Sequence, residues 1–183
     1  VGNFITLQTL IQKGFKPLGY RYLILTAHYR SQLNFTWESL TAAERAYEGL
    51  RSKIQTIAYD SRGTPSRSKQ KKSRGVRTLI AAFKRNFKNA LNNDLDTPRA
   101  IAALHNFINA AHLYAQTEID TKTRDLFRAT IKEIDAVLGL LLLMPPQKIP
   151  AHIQALLKER ELFRRNKQFM RADALRKKIN SLG

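Results

Sequence analysis

The spacing of the apolar residues is the feature that most constrains this chain. Over most of its length they recur every three or four positions, which places them on one face of an α-helix. The four longest stripes are Trp37, Leu40, Tyr47, Leu50, Ile54 and Ile57; Leu79 or Ile80, Phe83, Phe87 and Leu91; Ile101, Leu104, Ile108, Ala111 and Ala115; and Phe127, Ile131, Ile134, Leu138 and Leu141. The spacing predicts an all-α protein.

Local signals set the ends of these helices. Thr36 is a predicted N-cap, with Phe35 and Leu40 as a hydrophobic staple, for a helix running to about residue 59. The letters NND at 92–94 end the second long helix, and Thr97 as N-cap with Pro98 at the first helical position restarts the chain. Helices near 77–92, 97–117 and 121–144, together with at least one more, predict an antiparallel bundle.

Two short helices are expected before residue 28. In the first, Thr6 is the N-cap, Gly14 is the stop, and the apolar stripe is Phe4, Leu7, Ile11 and Phe15. Pro17 suits the first turn of the second, which we expect to extend to about residue 28.

A helical hairpin is predicted at the C-terminal end, over 152–166 and 168–182. The residues expected to line the first helix are Ile153, Leu156 or Leu157, Arg160 and Phe163, and those expected to line the second are Ala172, Leu175, Ile179 and Leu182. The organisation predicted from sequence is a helical segment at 1–59, a basic flexible loop at 60–76, a helical bundle at 77–144, a proline-rich linker at 145–150 and the hairpin at 151–183.

Charge indicates the class of partner. Lysine and arginine number 32 against 14 acidic residues, so the formal net charge is +18. A chain this basic most often binds a polyanion, because phosphate contacts release counterions. It has no cysteine, which excludes disulfides, thiolate zinc sites and a cysteine nucleophile. We find no segment long enough to span a bilayer and expect a cytoplasmic protein.

The stretch 19–40, GYRYLILTAHYRSQLNFTWESL, places basic and aromatic residues at one turn. Guanidinium groups match phosphate oxygens, and flat rings accept bases or sugars. In a second interpretation these residues have a structural role only: Tyr29 and His28 complete a core, and Arg30 is solvated. The residues predicted to contact RNA are Arg21, His28, Tyr29 and Arg30 here, Lys84, Arg85 and Lys88 in the bundle, and Arg164, Arg165, Lys167, Arg171, Arg176, Lys177 and Lys178 in the hairpin.

Four segments resemble cysteinyl-tRNA synthetases, in that family's order. They are VGNFITL at 1–7, similar to the sequence after the KMSKS signature; HYRSQLNFTW at 28–37; DLDTP at 94–98; and RADALR at 171–176, which carries the DALR lettering. The resemblance implies a tRNA-binding C-terminal part of a cysteine-tRNA ligase. It makes 1–59 a stem-contact segment, 77–144 a DALR-type bundle and 151–183 the start of an anticodon-binding region.

The resemblance also implies partners and cofactors outside these residues. An N-terminal catalytic domain of the same protein would hold ATP and a zinc ion, and the whole would act on cysteine tRNA as a monomer. Within the 183 residues we find no GxxxxGK, GxSxG or HExxH motif, and we expect neither catalytic residues nor a cofactor.

Two rival functions remain open from the sequence. One is a non-catalytic helical scaffold whose basic surface docks an acidic protein. The other is a binder of anionic lipid through 66–77, a segment that lacks the tryptophan or leucine anchors of interfacial helices. Asp94 and Asp96 are interpreted as helix-capping acids, and His105 and His112 as flanking polar residues of their helix, with neither pair expected to bind a metal.

Overall fold

The computed structural model describes residues 5–59, 68–115, 119–144, 150–166 and 168–181. The helices in these ranges are α1 (Leu7–Gln12), α2 (Pro17–Leu25), α3 (Trp37–Tyr59), α4 (Ser68–Asn92), α5 (Thr97–Ala115), α6 (Thr121–Leu138), α7 (Ala151–Arg165) and α8 (Phe169–Ser181). No strand occurs in the described ranges. The all-α prediction is confirmed.

The chain divides into two compact units, Val1–Met144 and Pro145–Gly183. In the first unit, α3 packs against α2, α5 and α6, while α4 packs against α5 and α6. The first unit therefore includes both the segment predicted at 1–59 and the bundle predicted at 77–144.

The core of the first unit is built mainly from the predicted stripes, although Leu141, assigned to the last of them, is 47% exposed. Leu40, Ile54, Leu104, Ile108, Phe127 and Ile131 are all fully buried. Between α4 and α5, the rings of Phe83 and Phe107 stack with their centroids 4.5 Å apart and an interplanar angle of 5°. Offset or stacked aromatic pairs add stability beyond the area they bury. Ile80 is buried whereas Leu79 is only half-buried, which decides between the two positions left open in that stripe.

Several predicted helix starts are confirmed. The Thr36 hydroxyl accepts the backbone N–H of Ser39 at 3.0 Å, directly before α3. The Thr6 hydroxyl accepts the N–H of Thr9 at 3.2 Å, and Pro17 occupies the first turn of α2. The two threonines accept hydrogen bonds from N–H groups that have no partner within the helix, and Pro17 has no N–H that would need one.

The prediction that the last bundle helix extends to residue 144 is wrong. α6 ends at Leu138, where Gly139 adopts a left-handed conformation with φ +64°. The Asp135 carboxylate then accepts the N–H groups of Leu140 and Leu142, both at 2.8 Å. Tyr47 of α3 donates to the carbonyl of Leu140 at 2.8 Å, so local bonds from Asp135 and one tertiary hydrogen bond replace those of a continuing helix.

Part of the segment predicted as a loop at 60–76 is helical in the structure. Residues 60–67 lie outside the described ranges, but α4 already begins at Ser68. Ser73 and Val76 are buried, and the Ser73 hydroxyl accepts the N–H of Asp120 at 3.0 Å. These contacts with the chain before α6 give a basic segment a buried side that its composition did not indicate.

Three smaller predictions near helix ends are also wrong. In α1 the buried residue is Leu10, while Leu7 and Ile11 are more than half exposed. α2 ends at Leu25 and not near residue 28. At α5 the capping side chain is Asp96, which accepts the N–H of Arg99 at 3.0 Å, whereas Thr97 is already helical.

The second unit is the predicted helical hairpin, α7 packed against α8. Ala172 is buried, and Leu156, Leu157, Phe163, Leu175 and Ile179 are half-buried. The backbone N–H of Gln168 donates a hydrogen bond to the carbonyl of Phe163 at 2.8 Å, between the two helices.

Within the described ranges, no helix combines the length and apolar character needed to cross a bilayer. The same residues contain no group of three histidine or acidic side chains placed to hold a metal ion.

Candidate nucleic-acid interface

The predicted basic and aromatic turn is held to the α4–α5 connection by Asp94. The Tyr29 hydroxyl donates to Asp94 Oδ1 at 2.7 Å, and a guanidinium nitrogen of Arg30 lies 3.1 Å from the same oxygen. His28 Nε2 donates to the Asp94 carbonyl at 3.1 Å, while His28 Nδ1 accepts the N–H of Arg30. We call this cluster of His28, Tyr29, Arg30 and Asp94 the aromatic knot.

The aromatic knot fixes an unusual turn. Asp94 and Leu95 both adopt left-handed conformations, with φ +54° and +51°. Non-glycine residues rarely do so, and aspartate tolerates it better than most. The hydrogen bond to Asp94 raises the pKa of Tyr29, because it stabilises the protonated hydroxyl. Asp94 is therefore a partner of the predicted RNA-contacting residues, and the cap of α5 is supplied by Asp96 alone.

Parts of the aromatic knot still face solvent. The Tyr29 side chain is 60% exposed, and its ring stacks on His28 with centroids 4.9 Å apart. The Arg30 guanidinium lies 5.4 Å from the Tyr29 ring and its side chain is 68% exposed. The structure thus brings three predicted residues together and leaves a flat ring and a cation on the surface.

Arg21 does not share the contacts of the aromatic knot. Its guanidinium donates to the carbonyl of Gly139 at 2.5 Å, at the C-terminal cap of α6. A cation is favoured at the negative end of a helix. Arg21 therefore has a structural partner that its place in the sequence stretch 19–40 did not indicate.

The cations of α4 fall into two groups. Lys84 pairs with Glu133 of α6, and Arg77 pairs with Asp120 before α6. Arg85 and Lys88 are exposed, and in the part of the chain that the structure describes neither has an ion pair. Of the three predicted RNA contacts on this helix, two are left with their charge uncompensated.

The hairpin carries exposed cations on both helices. Arg164 and Arg165 end α7, where positive charge is favoured by the helix dipole. Arg171, Arg176, Lys177 and Lys178 are exposed on α8, and the Arg171 guanidinium lies 5.8 Å from the Phe163 ring. None of the four arginines forms an ion pair with a described residue. Lys167 lies outside the described ranges.

A groove between α4 and α5 contains polar residues that the sequence analysis did not single out. It has a volume of about 470 Å³ and is lined by Leu79, Ala82, Phe83, Asn86, Asn89, Arg99, Ala102, Ala103, Asn106 and Phe107. The spacing of Asn86 and Asn89 on one helix face was the available signal. Without knowledge of which face meets α5, that spacing indicates only a solvated surface.

Comparison with known proteins adds two family matches. The profile described as DALR domain matches residues 86–142, and that described as cysteinyl-tRNA ligase anticodon binding domain matches residues 147–183. The two matched segments fall on either side of the boundary between the compact units.

Individual relatives match over the whole chain. A cysteine–tRNA ligase of Chlamydia felis is 35% identical, one of Chlamydia caviae is 36% identical, and cysteine–tRNA ligase 1 of Burkholderia lata is 36% identical. Each alignment covers 100% of this chain but only 38%, 38% and 34% of the respective relative. The chain thus spans little more than a third of the length of these relatives.

Proposed function

Since the chain belongs to the cysteinyl-tRNA ligase family, as a C-terminal part with a DALR domain and residues of the anticodon binding domain, we propose that it binds cysteine tRNA and positions it for aminoacylation. The reaction itself would take place in a catalytic domain of the same protein. That domain would join cysteine to the tRNA at the expense of ATP, with zinc as its metal.

The observation that carries this proposal is a set of four exposed arginines in the hairpin. Arg164, Arg165, Arg171 and Arg176 are exposed without ion pairs in the described residues, inside the segment that matches the anticodon binding domain. Unpaired guanidinium groups bind phosphate without first breaking an internal contact. They position the RNA, whereas base contacts would specify it.

The aromatic knot has a different part in the proposal. Its internal bonds to Asp94 fix the orientation of Tyr29 and Arg30, whose exposed faces then meet the RNA. A preorganised ring and guanidinium lose little conformational entropy on binding. Because Asp94 offsets part of the charge of Arg30, we expect a weaker phosphate contact here than at the hairpin.

The 183 residues are proposed to have no catalytic activity alone. Their tyrosines and acids serve structure where the contacts are seen: Tyr47 binds the Leu140 carbonyl, and Asp135 holds two backbone N–H groups. Cysteine-dependent exchange of pyrophosphate into ATP by the isolated chain would contradict this part of the proposal.

The decisive experiment is a fluorescence titration of the chain with cysteine tRNA and with a non-cognate tRNA, each at two salt concentrations. We expect binding to both that weakens steeply with salt, because phosphate contacts dominate. A cognate preference that persists at the higher salt would add base readout within these helices. Absence of binding to either tRNA would overturn the proposal in favour of a protein-docking scaffold.

A further inference from the structure

We propose that the groove between α4 and α5 seats an unstacked nucleobase of RNA, with the Asn86, Asn89 and Asn106 amides on the base edge and Arg99 on a neighbouring phosphate. This inference rests on the proposed RNA binding and names a site for it. It concerns the DALR-matched unit and not the hairpin.

The size of the groove suits such an occupant. Its volume of about 470 Å³ falls within the range of small-ligand sites, roughly 300–1,000 Å³. Ala82, Ala102 and Ala103 line the groove with small side chains, so a flat ring can approach the helix backbones closely. Below them, Phe83 and Phe107 form a rigid stacked pair that keeps the two helices at a fixed distance.

The polar lining matches the edge of a base. An asparagine amide offers an acceptor oxygen and two N–H donors, the combination used to read base edges. Asn86, Asn89 and Asn106 are exposed, and among the described residues none of their side chains has a hydrogen-bond partner. Asn109, one turn beyond Asn106, differs in accepting a hydrogen bond from Lys53 at 2.7 Å.

The charge around the groove favours an anion. Arg99 is the charged residue of the lining, and no acidic residue is found among the lining residues. Its side chain forms no ion pair with a described residue, and its backbone N–H donates to the Asp96 carboxylate at 3.0 Å. On the α6 side of α4, by contrast, Lys84 and Arg77 are neutralised by Glu133 and Asp120.

Single-stranded RNA supplies both chemistries at once. An unpaired nucleotide presents its base edge and its phosphate within one unit, whereas paired nucleotides hide their edges in the stack. The groove therefore predicts a preference for looped over fully paired RNA.

The experiment compares two RNAs of equal length, a hairpin with a seven-nucleotide loop and a fully paired duplex, by fluorescence anisotropy with the whole 183-residue chain. The test variant is the double substitution Asn86→Ala with Asn106→Ala. The matched control is Asn92→Ala, an exposed asparagine of α4 outside the groove lining.

We expect the affinity of the double variant for the looped RNA to fall about tenfold, because two amides that contact the base edge are removed. Its affinity for the duplex should stay within about twofold of wild type, as should both affinities of the control. In wild-type protein, the side-chain NH₂ resonances of Asn86 and Asn106 should shift on addition of looped RNA and remain unshifted with duplex.

Three other outcomes are distinguishable. If the double variant binds looped RNA as tightly as the wild-type protein does, the proposed nucleobase site in the groove is overturned and the proposed tRNA binding is not affected. Equal reductions on looped and duplex RNA would also overturn it, since the groove would then contact the backbone alone. Failure of the wild-type protein to bind either RNA would overturn the proposed function itself, and the proposed nucleobase site with it.

Discussion

The two compact units use the same residue types in different ways. In the unit ending at Met144, large side chains such as Tyr47 and Phe127 are fully buried, and many cations have partners within the protein. In the hairpin, Ala172 is the buried residue among those described, and the arginines of α7 and α8 lack ion pairs there.

The difference separates stability from binding. A deep core makes the first unit resistant to change at its surface, and its paired charges contribute locally. A two-helix hairpin buries little apolar area, so most of its side chains remain available to a partner. The same +18 charge is therefore distributed between structural and accessible roles.

The largest expected effect is in the core of the first unit. Phe127→Ala removes a fully buried ring beside Phe107 and should lower the free energy of unfolding of that unit by about 3–5 kcal/mol. Urea denaturation followed by fluorescence of Trp37, the single tryptophan, reports on this unit. The neighbouring Leu126→Ala is the control; it is 41% exposed and should cost less than about 1 kcal/mol. Equal destabilisation by the two variants would contradict the assignment of the core.

An intermediate effect is expected on RNA binding. Substituting Arg164→Gln together with Arg165→Gln removes two cations that have no internal partner, so the slope of log affinity against log salt should fall by about 0.7–0.9 for each phosphate that is no longer neutralised. Lys84→Gln is the control, because Lys84 is already paired with Glu133 and should leave the slope nearly unchanged. The distinction between accessible and structural cations would fail if Lys84→Gln reduced the slope as much as the arginine pair.

The smallest effect concerns pH and again the first unit. His105 forms a 2.5 Å hydrogen bond with the Tyr22 hydroxyl, and burial, aided by Lys53, lowers the pKa of His105 below its ordinary 6.5. The unfolded chain then binds a proton that the folded chain does not. The contribution of His105 to the free energy of unfolding should therefore be fully present above about pH 6.5. It should fall as the pH drops from there towards the lowered pKa, by at most about 1.4 kcal/mol per pH unit.

Urea midpoints at pH 7.5 and 5.5, again read from Trp37, measure this effect. His105→Gln keeps a hydrogen-bonding side chain that does not titrate and should reduce the difference between the two midpoints. An unchanged difference in the variant would assign the pH dependence to other groups.

Much of the architecture followed from the sequence, for reasons visible in single residues. Thr36 and Pro17 act through the backbone beside them, so their positions predicted helix starts without knowledge of packing. The stripes on α3 to α6 predicted which faces would be buried because helical periodicity is a local property. The resemblance of four short segments to one family was carried by the letters alone, and the family comparisons confirm it.

The site was less predictable, because its residues acquire their roles from distant partners. Nothing near Asp94 in sequence shows that it binds Tyr29 and Arg30, which lie more than sixty positions before it. Lys84, Arg85 and Lys88 are alike in sequence, and only the position of Glu133 on α6 separates the first from the other two. The groove asparagines likewise became a candidate site only once α5 packed beside them.

The sequence by itself thus determined the helices, their buried faces, the basic character and the family, since each depends on neighbouring residues or on composition. The tertiary structure decided where helices end against a partner, as at Gly139, and which charges are already satisfied. The physical reason is that hydrogen bonds and ion pairs act over a few ångströms in space, and residues far apart in the chain meet at those distances only after folding.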